Sequence, residues 1–144
     1  MSLLRFNLGA VLVGGGLAWG ATFVLGLFTH AVFSVLFGVS TDSESQQLAR
    51  LSASDAFHWA SLLSALFATS LGGYAAGRIA GSRAIEHGFL VGVACILGGL
   101  YWMARLADPA VLVPQWSLLL GFCLAPAVGA AGGFAASDSP GAFV

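Results

Sequence analysis

A row of small residues recurs at every fourth position in the middle of the chain and constrains its fold more than any other feature. The row consists of Ala65, Thr69, Gly73, Gly77 and Gly81. On an α-helix this spacing places the five residues in one nearly straight stripe. The neighbouring residues are apolar, so a second backbone can approach the stripe closely, as in helix pairs within membranes. We therefore predict that these residues form a helix-packing surface.

The composition indicates an integral membrane protein. Hydrophobic residues make up 58% of the 144 residues and charged residues only 8%, whereas soluble domains carry about 25% charged residues. A chain with so few charges has too little polar surface to face water on all sides. All five basic residues are arginine, the net charge is −1 and no basic run occurs, which argues against nucleic acid as a partner.

Four apolar segments have the length of about 20 residues that a membrane-spanning helix needs. They cover about residues 7–37, 55–79, 87–105 and 113–136, which predicts an all-α fold with one four-helix transmembrane domain over residues 1–144. As a helix, the first apolar stretch is on the order of 50 Å long, beyond the roughly 30 Å of a hydrocarbon core. It must tilt strongly, break near Gly26 or project beyond the bilayer.

The polar loop at residues 40–55 is predicted to contain a short interfacial helix. Residues 41–44 have the pattern of a capping box, in which side chains satisfy the first backbone N–H groups of a helix. Leu48 and Leu51 then form one apolar edge, which suits a helix lying on a membrane surface. Ser54 or Asp55 is expected to cap the next span.

The placement of the arginines predicts the orientation. Arg5, Arg78 and Arg83 fall on one side of the membrane, whereas Arg50, Arg105 and the acidic loop fall on the other. The positive-inside rule then places both termini in the cytoplasm. Aromatic residues near the outer, non-cytoplasmic ends of the spans form an interfacial belt. They are Trp59, Tyr101, Trp102 and Trp116.

The two halves of the chain resemble each other. GGLAW at 15–19 is matched by GGLYW at 98–102, and GGYAA at 72–76 is matched by GGFAA at 132–136. A duplicated helix hairpin fits these pairs, and its copies would share one orientation because each has an even number of spans. Chance matches within glycine-rich apolar sequence are the alternative. The last span holds a second small-residue stripe, formed by Gly121, Ala125, Gly129, Gly133 and Ser137.

The first span continues as an apolar extension if Trp19 and Trp102 both lie at the same membrane boundary. Such apolar surface is not left in water, so it lies in the headgroup layer or is covered by another polypeptide. A single tilted helix is the alternative. We predict a partner-contact surface formed by Phe28, Val32, Phe33, Leu36 and Phe37.

The sequence contains no pattern typical of a catalytic or metal site. It lacks the motifs G-x-S-x-G and H-E-x-x-H and a phosphate-binding loop. No ionisable residue lies near the middle of a span, where transporters and proton relays usually carry one. Cys95 and Cys123 lie within apolar segments and are predicted to be packing thiols. We therefore predict neither an enzyme nor a metal site.

Two histidines are the candidates for a cofactor site. His30 lies near the end of the first span and His58 near the start of the second, and a neutral imidazole can ligate haem or a chlorophyll-type pigment. No spacing motif supports ligation, so two interfacial histidines are the favoured interpretation and no cofactor is predicted. His87 follows Glu86 at the start of the third span, where hydrogen bonding at the helix end is expected.

The segment LGGYAAGRIAGSRAIEHGFLVG at 71–92 resembles a loose group of small four-span bacterial membrane proteins. These proteins end span two with Gly-Gly-aromatic, follow it with a short basic loop and open span three with His-Gly or Lys-Gly. The resemblance implies a four-span protein of the bacterial inner membrane and assigns no activity.

The function predicted from the sequence is that of a non-catalytic subunit with a packing role, in a larger membrane complex or a homo-oligomer. One alternative is a small oligomeric channel or transporter whose pore is lined by Ser61, Thr69 and backbone at the glycine stripes. The other is a pigment- or haem-binding subunit that uses His30 or His58.

Overall fold

A computed structural model describes residues 7–38, 43–105 and 113–138. These residues form helices and no strand: α1 (Leu8–Leu36), α2 (Glu44–Ser52), α3 (Asp55–Ala80), α4 (Ala84–Arg105) and α5 (Gln115–Ser137). Within the described ranges, α1, α4 and α5 are long and apolar enough to cross a membrane. The protein is therefore all-helical and has the character of a membrane protein.

The helix α3 does not reach the same apolar content, although the sequence predicts it as a fourth span. It begins with Asp55, contains His58 and ends with Arg78 in its last turn. It is also the central helix, because it contacts α1, α2, α4 and α5. Helix interfaces in membranes favour small and hydroxyl-bearing residues over large apolar ones. The position of α3 at the centre of the bundle thus explains why its composition is less apolar.

The helix α1 is continuous, so a break near Gly26 is wrong. Its 29 residues give a length of about 44 Å, and it runs antiparallel along α3. Gly14 lies against Gly72 near one end, and the Thr29 and Ser64 hydroxyl oxygens are 3.4 Å apart further along. Beyond them, the rings of Phe33 and Phe57 meet edge to face at 5.6 Å between centroids. The apolar extension of α1 therefore packs on the start of α3.

Replacing Phe33 with alanine is expected to lower the free energy of unfolding by about 1–2 kcal/mol, because the edge-to-face pair with Phe57 and part of a buried surface are lost. Phe28 lies on the same extension but is 67% exposed, so Phe28→Ala is the matched control and should change stability little. Unfolding curves in mixed micelles would measure both. Equal losses for the two variants would contradict packing of the extension on α3.

The short helix α2 begins later than the predicted capping box. Ser43 is its N-cap and donates its backbone N–H to the Gln46 side-chain oxygen at 3.3 Å. In the capping box, the side chain that accepts the N–H of the N-cap residue is therefore that of Gln46 and not that of Glu44. Thr41 and Asp42 lie outside the described residues, as does Arg5. Leu51 is only 1% exposed, which means that the apolar edge of α2 faces protein at this position. The side chain of Leu48 is not among the parts of the chain that the structure describes.

The bundle has two chemically distinct ends. The glycine end holds the start of α1 and α4 and the last turns of α3 and α5, and there the backbone N–H of Asn7 bonds to Nε2 of His87 at 3.0 Å. The tryptophan end holds the start of α3 and α5, where the rings of Trp59 and Trp116 lie 4.6 Å apart. The helices α3 and α5 are therefore parallel, and α1 and α4 run the opposite way.

Candidate functional site

Helices α1 and α3 touch through two glycines. A methyl group on Gly14 would lie 2.5 Å from the Gly72 carbonyl oxygen and 2.7 Å from Cβ of Ala76. A methyl group on Gly72 would in turn meet the Gly14 carbonyl oxygen and lie 2.7 Å from Cβ of Ala18. Because backbone faces backbone, neither glycine can carry a side chain unless the helices separate.

Helices α4 and α5 use the same type of contact. A methyl group on Gly88 would meet the Gly129 carbonyl oxygen, and one on Gly129 would meet the Gly88 carbonyl oxygen. Gly92 lies against the Ala125 carbonyl in the same way, one turn further along. Both antiparallel pairs are thus centred on a reciprocal glycine contact, between Gly14 and Gly72 in the first and between Gly88 and Gly129 in the second.

The two pairs are joined through a second face of α3. Gly73 lies against the Gly129 carbonyl, and a methyl group on Gly77 would lie 3.1 Å from Cα of Gly133. The adjacent residues Gly72 and Gly73 therefore serve different neighbours, since Gly72 faces α1 and Gly73 faces α5. Gly129 stands where α3, α4 and α5 meet.

The predicted stripe residues differ in what surrounds them. Gly73, Gly77, Ala125, Gly129 and Gly133 lie in backbone contacts between helices. Ala65 is half-buried, while Thr69 is 4% exposed and donates its hydroxyl hydrogen to the Ala65 carbonyl at 2.8 Å. Gly121 meets only a side-chain methyl of Leu62, at 3.7 Å from the position of its absent Cβ. Gly81 is not a packing residue: it is the C-cap of α3 with φ +66°, and open space surrounds it.

Several contact glycines were not identified as packing residues from the sequence. They are Gly14, Gly72, Gly88, Gly92 and Gly132. Gly88 and Gly92 are four residues apart in an apolar segment, which is the same signal that marks the stripe in α3 and could have identified them. Gly14 is followed by Gly15 and Gly16, so spacing alone does not select the residue that faces α3.

One glycine pair on α1 has no neighbour among the described residues. Gly16 and Gly20 lie four residues apart and have no atom of another element within 4 Å of their absent Cβ atoms. Large apolar side chains that flank them are exposed, among them Leu12, Val13, Phe23, Val24 and Leu27. Of the predicted partner-contact residues, Phe28, Val32, Leu36 and Phe37 are exposed as well, whereas Phe33 packs on Phe57.

The histidines proposed for a cofactor have local hydrogen-bond partners. Nε2 of His58 donates to the Ser52 carbonyl at 2.8 Å and so ties α2 to α3. Nδ1 of His30 lies 3.5 Å from the Ser34 hydroxyl on the same helix. The bond at Nε2 of His58 uses the nitrogen that haem ligation most often employs, so the geometry does not favour a pigment site there.

His87 bridges α4 and α1 at the glycine end. It is 1% exposed, donates Nδ1–H to the Arg83 carbonyl at 2.9 Å and accepts the Asn7 N–H at Nε2. The carbonyl partner confirms the expected hydrogen bond at the helix end. The bond to Asn7 adds a long-range connection, since an imidazole protonated on Nδ1 satisfies one of the first unpaired donors of α1.

The structure also bears on a metal site and on the proposed pore. Among the residues that the structure describes, no group of three or more His, Cys, Asp or Glu side chains is placed to hold a metal ion. The Thr69 hydroxyl, a proposed pore-lining group, is buried and donates to the Ala65 carbonyl. In comparisons with known proteins, no family model, no curated protein and no solved structure matches the chain.

Proposed function

We propose that the chain is a non-catalytic four-span subunit that assembles, through the exposed face of α1, with itself or with other subunits in the bacterial inner membrane. The observation that carries this proposal is the open pair Gly16 and Gly20. Small residues at this spacing allow helices to approach closely in lipid. The pairs Gly73–Gly77, Gly88–Gly92 and Gly129–Gly133 all lie against a neighbouring helix. By analogy, we infer that Gly16 and Gly20 also pack against a helix, which belongs to another chain.

The exposure of α1 supports the same proposal. Its most apolar stretch is 11% buried, compared with 28% for α4 and 22% for α5. Lipid acyl chains cover large apolar side chains well. In a glycine groove they make fewer van der Waals contacts than a closely packed helix does, because they are flexible. A protein surface is therefore the better complement to Gly16 and Gly20 than lipid alone.

The proposed topology takes α3 as the fourth span, enclosed by the three more apolar helices. Arg78 and Arg83 lie at the glycine end, while Arg50 and Arg105 lie at the other. In the sequence Arg5 precedes Asn7, the N-cap of α1 at the glycine end, and with this third arginine the positive-inside rule favours a cytoplasmic glycine end.

The contacts Gly14–Gly72 and Gly88–Gly129 have the same form, but they do not reproduce the register of the sequence repeat. They equate Gly14 with Gly88 and Gly72 with Gly129, nine and three residues from the partners that the repeat at 15–19, 98–102, 72–76 and 132–136 implies, so the duplicated hairpin stays a prediction from the sequence.

The experiment that tests assembly is native mass measurement after extraction in a mild detergent. We expect a mass above the 14.6 kDa of one chain, either a multiple of it or a complex with other polypeptides. The double variant Gly16→Leu/Gly20→Leu should weaken assembly about tenfold or more in dissociation constant. Gly26→Leu is the matched control, because Gly26 is also open but lies on another face of α1. A single chain of 14.6 kDa from wild type, under conditions that retain lipid, would contradict the proposal.

A further inference from the structure

Between the glycine contacts and the tryptophan end, the four long helices leave an apolar cavity of about 380 Å³. Its wall includes Trp19 and Phe23 of α1, Gly99 and Trp102 of α4, and Phe122 of α5. Thr69 contributes a hydroxyl group that is already hydrogen-bonded to the Ala65 carbonyl. A neighbouring space of about 230 Å³ shares Thr69, Gly99 and Phe122 and extends the cavity between α3 and α5.

The size and chemistry of this cavity fit one hydrocarbon chain. An apolar cavity of about 150 Å³ stays free of water and holds a molecule the size of benzene. A volume of about 380 Å³ therefore accommodates an alkyl chain on the order of 15 carbons. Several wall residues are also exposed on the outer surface, with Trp19 at 40% and Trp102 at 48%, so the cavity opens sideways, where a lipid chain can enter.

A positively charged residue follows the cavity residue Trp102 by one turn of α4. Arg105 is exposed in the last turn of α4, three residues beyond Trp102 and so on a neighbouring part of the same helix surface. No carboxylate of the described residues forms an ion pair with it. Trp102 and Arg105 thus combine the aromatic and cationic groups that are typical of a lipid-headgroup boundary.

We propose that the cavity binds one acyl chain of an anionic phospholipid, whose phosphate lies at Arg105. The chain enters from the leaflet at the tryptophan end and occupies the space beside Gly99. Gly16 and Gly20 do not line this cavity, although Phe23 belongs both to its wall and to the exposed face of α1. Varying the protein-to-lipid ratio therefore distinguishes lipid binding from assembly.

The test uses the tryptophans of the cavity wall as reporters. In a background of Trp59→Phe and Trp116→Phe, the remaining tryptophans are Trp19 and Trp102. The full chain is placed in nanodiscs of phosphatidylcholine, and dibrominated phosphatidylglycerol or dibrominated phosphatidylcholine is added in steps as a fluorescence quencher. We expect quenching by the anionic lipid to saturate, with its midpoint at about fivefold lower mole fraction than for the zwitterionic lipid.

Two variants separate the chain site from the headgroup site. Gly99 has no atom within 4 Å of its absent Cβ, so Gly99→Leu should fill the cavity without a clash and make quenching linear in mole fraction. Gly26→Leu, the same substitution at an open position that does not line the cavity, should leave saturation intact. Arg105→Gln should bring the midpoints of the two lipids together.

Four outcomes would overturn the proposal. The first three are linear quenching in the wild type, equal midpoints for the two headgroups, and unchanged saturation in Gly99→Leu. The fourth is relief of quenching as the protein-to-lipid ratio rises, because that result would mean that a second copy of the chain occupies the cavity. Unbrominated palmitate provides a further arm. If it reverses quenching better than an equal amount of unbrominated phosphatidylglycerol, the ligand is a free fatty acid and the phospholipid assignment is wrong.

Discussion

Replacing Gly129 with leucine is expected to separate α5 from α4, to disturb the contact of the Gly129 backbone with Gly73 of α3 and to lower the free energy of unfolding by about 3 kcal/mol. A side chain at this position would meet the Gly88 carbonyl oxygen, and the Gly129 backbone itself fills the space beside Gly73. Backbone atoms cannot rotate away as a side chain can, so the strain is relieved only if whole helices move apart. The effect should exceed that of any substitution at the tryptophan end.

Detergent-induced unfolding, followed by circular dichroism and tryptophan fluorescence, measures the loss. The neighbouring, tilted rings of Trp59 and Trp116 report on the distance between α3 and α5 in particular. Gly26→Leu is the matched control, because no atom lies within 4 Å of the absent Cβ of Gly26 and leucine has a higher helix propensity than glycine by up to about 1 kcal/mol. If Gly129→Leu and Gly26→Leu unfold at the same detergent fraction, tight backbone contact at Gly129 does not stabilise the bundle.

Hydropathy predicts the positions of the long helices well because lipid imposes a minimum length on an uncharged helix. It misses the true start of α4, which begins at Ala84 and not near residue 87. Glu86 and His87 form part of the first turn, and a helix can extend beyond the apolar segment wherever its polar residues face water or find partners. The apolar pattern marks the lipid-facing part of a helix and not its ends.

The glycine spacing predicts that helices pack closely, but it does not identify which neighbour each glycine contacts. In α3, Gly72 and Gly73 are adjacent in sequence and lie about 100° apart around the helix, so they face α1 and α5 respectively. The predicted stripe contains only Gly73. In α1, Gly14 is buried and Gly16 is exposed, and this difference depends on how the helix is rotated toward α3. The rotation of α1 about its own axis depends on packing across the whole bundle, so it cannot be predicted from the local sequence.

The bridge between His87 and Asn7 could not be predicted for the same kind of reason. The two residues are 80 positions apart, and neither belongs to a motif. The sequence indicates only that His87 lies at a helix start, where a bond to its own first turn is common. That α1 begins beside α4 follows from the parallel arrangement of the two helices.

Replacing His87 with leucine is expected to cost about 1 kcal/mol, because the Asn7 N–H at the start of α1 loses its acceptor in a partly buried hydrogen bond. The Arg83 carbonyl keeps a partner, since it also accepts the backbone N–H of residue 87 at 3.1 Å. The loss is therefore concentrated at the first turn of α1. Hydrogen exchange at the amides of Asn7 and Ala10 should accelerate, while amides near Thr29 should change little.

The variants His87→Gln and His30→Leu distinguish this bridge from general loss of packing. Glutamine carries a carbonyl oxygen that can accept the Asn7 N–H, so His87→Gln should restore part of the protection at Asn7. His30 is only half-buried, with a long contact of 3.5 Å to Ser34, so His30→Leu should have a small effect. If His87→Leu unfolds like the wild type and Asn7 exchange is unchanged, the imidazole does not hold the start of α1, and the glycine contacts alone fix α1 in the bundle.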